Sequence, residues 1–221
     1  MYEFVVDGQG IRMAIDRVFN AGYSGRDEEA VRAHIDELVE EGIPEPEHVP
    51  ALYEMSPAIT LVDPASIRVV GPDTSGEAEF ALLRAGGETY VAAASDHTDR
   101  DLETESIQKS KQIAPNVFSR NVWRFDDVRD HWDDLELRAF NWIDGERTRY
   151  QDTTLSAVLP PEDILDIVRE RHDLSLSGTA VLSGTVATVS GDIRPGSRFE
   201  VELHDPVLDR TLSLGYDVDV M

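Results

Sequence analysis

The chain has 221 residues, 41% of them hydrophobic, which suits one domain of ordinary size with a buried core. Its 44 acids against 20 bases give a formal net charge of −24, which argues against nucleic acid and anionic membrane surfaces as partners. There is no cysteine, so disulfide and thiolate chemistry are excluded, and no run of about 18 apolar residues could span a membrane.

Tyr2 to Val6 alternates as a short strand and turns at Asp7-Gly8, and Ile11 to Phe19 is a second strand. The opening "MYEFVVDGQG" lacks a basic segment followed by an apolar run, so the expected location is cytoplasmic. Residues 27–41 form a helix with Ala30, Val31, Ile35, Leu38 and Val39 on its apolar face; Gly42 and the prolines of "IPEPEHVP" end it. Ala58 to Val62 and Ile67 to Val70 are strands, the second closed by the turn "GPDTSG". Glu77 to Arg84 and Thr89 to Ala94 pair as a hairpin around "AGGE". Asp99 to Ile107 is helical, and "VWRFDDVRDHW" is partly so. Leu135 to Ile143 and Arg147 to Tyr150 pair across "DGE", and Pro161 opens a helix to Arg171. Val181 to Val189, Phe199 to Leu203 and Leu212 to Val220 are the last strands. Scattered helices among many strands predict an α+β fold with a mixed or antiparallel sheet.

The acidity sets a background. Acid-x-acid pairs should arise by chance about nine times in such a chain, so spacing alone marks no site. Nearly all bases are arginines, and the two lysines, Lys109 and Lys111, stand together in "QKSKQ". An acidic, lysine-poor composition is that of a salt-adapted protein. Against it, two neighbouring lysines suggest a place where an amine is wanted, not merely a positive charge.

Five segments, in order, resemble the fumarylacetoacetate hydrolase superfamily. "YVAAASDHTDRDLE" is similar to its "YVaGYtlaNDvTARDlQ", and "GEAEFALLRAG" to its E-x-E strand. "HIDELVEEGIPEPEHVPALYEMSPA", "DGERTRYQDTTLSAVLPPEDILDIV" and "GTAVLSGTVATVSGDIRPGSRFEVEL" match three further stretches. The nearest resemblance is to a branch without an assigned activity that carries "SDHTDR" and "SKQ". It implies a mixed β-roll or β-sandwich, with a small N-terminal lobe over residues 1–60 and a catalytic core over 61–221.

The resemblance also implies a site. Glu77 and Glu79 of the E-x-E strand and Asp96 at the "ND" position would bind Mg²⁺ or Mn²⁺. Residues two apart on a strand share a face about 7 Å apart, so two carboxylates can converge there, and oxygen ligands favour a hard cation. The alternative for Glu77 and Glu79 is two solvated acids on an acidic edge. His34 and Glu37, three apart on a helix, match a His–Glu pair that activates water, or are an ordinary surface pair. Lys111, or else Lys109, matches a lysine that stabilises oxyanion charge. One straight helix from Asp96 to Lys111 would separate its ends by about 22 Å, so the chain must fold back. Gly184 and Thr185 match a substrate-binding "TGT".

Where the family has alanine, Asp99 reads as a helix N-terminal acid, and Arg100 with Asp101 reads as a structural pair. His97 is a ligand or proton carrier, or a histidine hydrogen-bonded beside the site. The implied activity is metal-dependent C–C hydrolysis of a small 2-oxo or 1,3-dicarbonyl acid, acylpyruvate-like, by a homodimer. Decarboxylation, isomerisation or hydration on the same fold is the alternative, as is a non-catalytic binding protein.

Overall fold

The computed structural model describes residues 1–40, 42–173 and 175–221; Glu41, the last residue of the helix expected over 27–41, lies outside them. The first elements are β1 (Tyr2–Val6), β2 (Gln9–Met13), β3 (Arg17–Gly22), α1 (Glu28–Glu40), β4 (Ala51–Met55), β5 (Thr60–Val62), β6 (Ser66–Val69) and β7 (Thr74–Ser75). The centre holds β8 (Ala78–Ala85), β9 (Glu88–Asp96), β10 (Thr98–Asp99), α2 (Arg100–Glu103), α3 (Ile107–Ile113), β11 (Asn116–Phe118), β12 (Trp123–Arg124) and α4 (Phe125–Val128). The chain closes with β13 (Glu136–Ile143), β14 (Glu146–Thr154), α5 (Pro161–His172), β15 (Thr179–Leu182), β16 (Arg198–Asp205) and β17 (Arg210–Val220).

Two mixed sheets carry the fold. The larger runs β4-β3-β15-β8-β9-β11-β5, with β12 also on β9; the smaller runs β14-β13-β16-β17-β6. Alternation along β8 and β9 gives the larger sheet two buried faces. Phe80, Leu82, Val91 and Ala93 meet Phe199, Val201, Leu203 and Leu214 of the smaller sheet in one core. Ala81, Leu83, Ala92 and Ala94 face the other way, against Phe4, Val6 and Met13 of the β1–β2 hairpin. Each such large side chain contributes about 1.5–3 kcal/mol by leaving water.

Several boundaries differ from expectation. The strand expected over Ile11–Phe19 divides into β2 and β3, because the chain leaves the hairpin there and Asp16 N–H bonds Gly178 O to join the larger sheet. β4, hidden among prolines in the sequence, forms the edge of that sheet beside β3. Within residues 1–60, β3 and β4 are hydrogen-bonded into the larger sheet. The strand expected to Val189 stops at Leu182, where Gly184 takes a positive φ of 79°. Of the apolar face expected on α1, only Ile35 is fully buried and Val39 is exposed. Among the described residues, no helix is long and apolar enough to cross a membrane.

Candidate metal centre

The cluster lies on the hairpin-side face of the larger sheet, at the end where β8 begins and β9 ends. Asp96 N–H donates to Glu77 O at 3.2 Å, and the ladder continues with Ala78 opposite Ser95. Glu77 and Asp96 are thus neighbours across the strands, and Glu79 shares the face two residues on. Gly76 fixes the approach: a Cβ there would meet the Phe199 ring at 2.3 Å. One carboxylate oxygen from each of Glu77, Glu79 and Asp96 lies within 4.8 Å of the others. All three are buried, Glu79 and Asp96 completely.

The chain does fold back. The expected helix over Asp99–Ile107 is two: α2 ends at Glu103, and α3 begins after Ser106, whose hydroxyl caps it by accepting from Lys109 N–H. The return carries Lys111 over the carboxylates. Its ammonium donates to Asp96 Oδ2 at 2.6 Å and Glu77 Oε2 at 2.9 Å. Lys109 is exposed. Arg100 pairs with Glu77 Oε1 at 3.0 Å and Glu103 at 2.7 Å, and donates to Ser75 Oγ at 2.8 Å. Its partners are these residues rather than Asp101, which is exposed. Asp99 caps α2 by accepting from Leu102 N–H.

Glu79 is held differently. Its Oε1 accepts from Asn20 Nδ2 at 3.0 Å and its Oε2 from Gly184 N–H at 2.8 Å. Asn20 Nδ2 also reaches Asp96 Oδ2 at 3.0 Å. Gly184 must be glycine: a Cβ would lie 2.1 Å from Ala21 O. Its amide orients a carboxylate of the cluster. Thr185 Oγ1 donates to Ala78 O and accepts from Gln151 Nε2 at 2.7 Å, and Gln151 Oε1 takes Ala78 N–H, so this group braces the start of β8.

Burial pushes Glu77 up, but Lys111 and Arg100 outweigh it and hold the carboxyl at about 2. Burial raises Asp96 to about 6 against the pull of Lys111. Glu79 is pushed well above the usual carboxylate range by burial and then by Asp96. Burial works against the charge on Lys111, yet Asp96 and Glu77 keep its ammonium protonated. Three carboxylates thus face two fixed cations, Lys111 and Arg100. Asp96 Oδ1 is buried with no partner among the described residues. Surplus negative charge, a free buried carboxylate oxygen and an all-oxygen donor set fit a hard divalent cation held by Glu77, Glu79 and Asp96.

His97 points to the opposite face. Its Nδ1 meets Tyr216 Oη and its Nε2 meets Thr74 Oγ1, both at 3.0 Å. Burial lowers its pKa to about 3, so it is a neutral, hydrogen-bonded histidine with both nitrogens engaged. His34 and Glu37 stand outside the cluster on α1, exposed and 3.9 Å apart, with the His34 ring 6.2 Å from that of Tyr23. Burial raises both Tyr23 and Tyr53, and both feel the charges of Lys111 and Glu103.

Three residues were not read from the sequence as part of the site. Asn20 and Arg100 bind the carboxylates. Asn116, on β11 opposite Asp96, is fully buried with both amide atoms unpaired among the described residues. An unpaired buried polar group costs about 1–3 kcal/mol. Lone asparagines inside the apolar runs "RVFNAG" and "APNVFS" were the available signal.

No curated protein matches the sequence. Solved structures do resemble the fold. A candidate fumarylacetoacetate isomerase/hydrolase from Oleispira antarctica superposes with a TM-score of 0.70 at 17% identity, covering 99% of this chain and 100% of that one. 2-Keto-3-deoxy-D-arabinonate dehydratase, complexed with magnesium and 2,5-dioxopentanoate, gives 0.67 at 17%, covering 94% and 74%. 4-Oxalocrotonate decarboxylase from Pseudomonas putida G7, complexed with calcium and acetate, gives 0.58 at 13%, covering 95% and 78%. At such identities the likeness shows a fold shared with these proteins and nothing of the activity. The DUF2848 family model, for proteins of unknown function, matches residues 21–216, and the chain belongs to that family.

Proposed function

We propose that this protein is a divalent-metal-dependent enzyme acting on a small 2-oxo or 1,3-dicarbonyl acid by hydrolytic C–C cleavage. The observation that carries the reading is the buried Glu77, Glu79 and Asp96 cluster with the Lys111 ammonium in contact with two of its members. When bound, Mg²⁺ or Mn²⁺ supplies a Lewis acid for the oxo and carboxylate oxygens of the substrate. Asn20 and Gly184 fix the direction of Glu79, and Arg100 fixes that of Glu77. Lys111 stays protonated and offers a compact positive charge to the oxygen on which an enolate develops. Burial keeps bulk water from weakening these interactions. For hydrolysis, this reading gives His34, oriented by Glu37, the role of taking a proton from the attacking water.

Decarboxylation or dehydration is the second reading, favoured by the exposure of His34, because neither reaction needs a base for attacking water. The Mg²⁺-bound dehydratase and Ca²⁺-bound decarboxylase among the structural neighbours support keeping both. The test is a panel of acylpyruvates and hydroxylated 2-oxo acids with Mn²⁺ or EDTA, with products read by NMR. Metal-dependent release of pyruvate from an acylpyruvate supports hydrolysis. Release of CO₂ or loss of a hydroxyl selects the second reading. No turnover of any panel member by folded, Mn²⁺-loaded protein would sink both.

A further inference from the structure

Asn116 lies directly beside the cluster. The register sets Glu77, Asp96, Asn116 and Thr60 in one row across β8, β9, β11 and β5. Directly opposite residues present their side chains to the same face, about 4.5–5.5 Å apart at Cβ. Asp96 Oδ2 is taken by Lys111 and Asn20, whereas Asp96 Oδ1 has no partner. Beside it, Asn116 Oδ1 and Nδ2 are both unpaired, and Thr60 Oγ1 on the far side of Asn116 is unpaired as well. All three residues are buried. A buried amide with neither donor nor acceptor engaged is rare and calls for a partner.

We propose that the Asn116 side-chain carbonyl is a fourth, neutral oxygen ligand to the cation held by Glu77, Glu79 and Asp96. This inference rests on the metal-dependent reading above. One amide orientation answers all the unpaired atoms: the carbonyl turns towards the ion beside Asp96, and the amino group turns towards Thr60 Oγ1. Which amide atom is oxygen is an assignment that binding can fix. A water could bridge Asp96 and Asn116 instead, and affinity for the cation would then not depend on Asn116. A neutral carbonyl adds a ligand without adding charge, which suits a site that already has three carboxylates.

The test is calorimetric titration of Mn²⁺ into the wild type, Asn116→Leu and Asn116→Asp, with melting curves of each in EDTA. Asn116→Leu should bind Mn²⁺ at least about tenfold more weakly, yet melt no lower than wild type in EDTA, because leucine removes an unpaired amide. Asn116→Asp should bind Mn²⁺ more tightly and melt lower in EDTA. Wild-type affinity in a folded Asn116→Leu protein would overturn the proposal and leave a water bridge. Should that variant not fold, unchanged affinity in Asn116→Asp would overturn it equally. If the wild type itself bound no divalent cation, the metal-dependent reading would fall and take this one with it, which is a different result from a silent Asn116.

Discussion

Lys111→Met replaces a buried ammonium with an uncharged side chain of similar length. Glu77 and Asp96 then lose contacts of 2.9 and 2.6 Å, and the three carboxylates face Arg100 alone. Removing one partner of a buried ion pair costs about 3–5 kcal/mol. At about 2.1 cal/mol/K of unfolding entropy per residue, that lowers Tm by about 7–11 °C for a chain of this length. Scanning calorimetry in EDTA at pH 8 reads the loss. The gap should narrow at pH 5, because Asp96, raised to about 6 even beside the lysine, then takes a proton. It should narrow again with Mn²⁺, which restores positive charge. Turnover should fall by about 10²–10³, as for loss of one oxyanion donor. Exposed Lys109→Met should change stability by less than about 0.5 kcal/mol. Equal melting of wild type and Lys111→Met at pH 8 in EDTA would refute the charge arrangement described here.

Burial raises Asp96 to about 6 and Glu79 well above its ordinary range, so the folded protein holds protons that the unfolded chain releases from about pH 4. Apoprotein Tm should therefore fall as pH rises through 6. Glu77, held at about 2, contributes stability that is lost only as pH falls towards 2, outside that window. The Tm gain from Mn²⁺ should be larger at pH 8 than at pH 5, and an equal gain at both would contradict these shifts. With a net charge of −24, Tm should rise between dilute buffer and molar KCl, and a flat response would count against salt adaptation. His34→Ala should lower hydrolytic turnover without changing Mn²⁺ affinity; unchanged turnover would remove the pair from the mechanism, and lost affinity would make His34 a ligand.

The carboxylates were legible through the ordered resemblance, because in so acidic a chain their spacing alone marks no site; the strand period explains only why Glu77 and Glu79 share a face. The position of Lys111 was legible only as a constraint. A continuous helix could not deliver it, but the break depends on Ser106 capping α3, and a serine in "TESIQ" does not announce a cap by itself. Asn20, Arg100 and Asn116 were not legible as site residues. Their partners come from strands 59, 23 and 20 residues away in sequence, as with Asn20 and Glu79, Arg100 and Glu77, and Asn116 and Asp96. The extent of α1 follows its apolar period, but its thin burial depends on what packs against it. β4 was hidden because its sheet bonds come from β3, across the whole of α1.

The most direct measurement is calorimetric titration of Mg²⁺ and Mn²⁺ into EDTA-treated, desalted protein at pH 8, beside Glu79→Ala. The account predicts one divalent site per chain in the wild type, and loss of that site in a folded Glu79→Ala protein. No binding by the wild type, or equal binding by the variant, would contradict it.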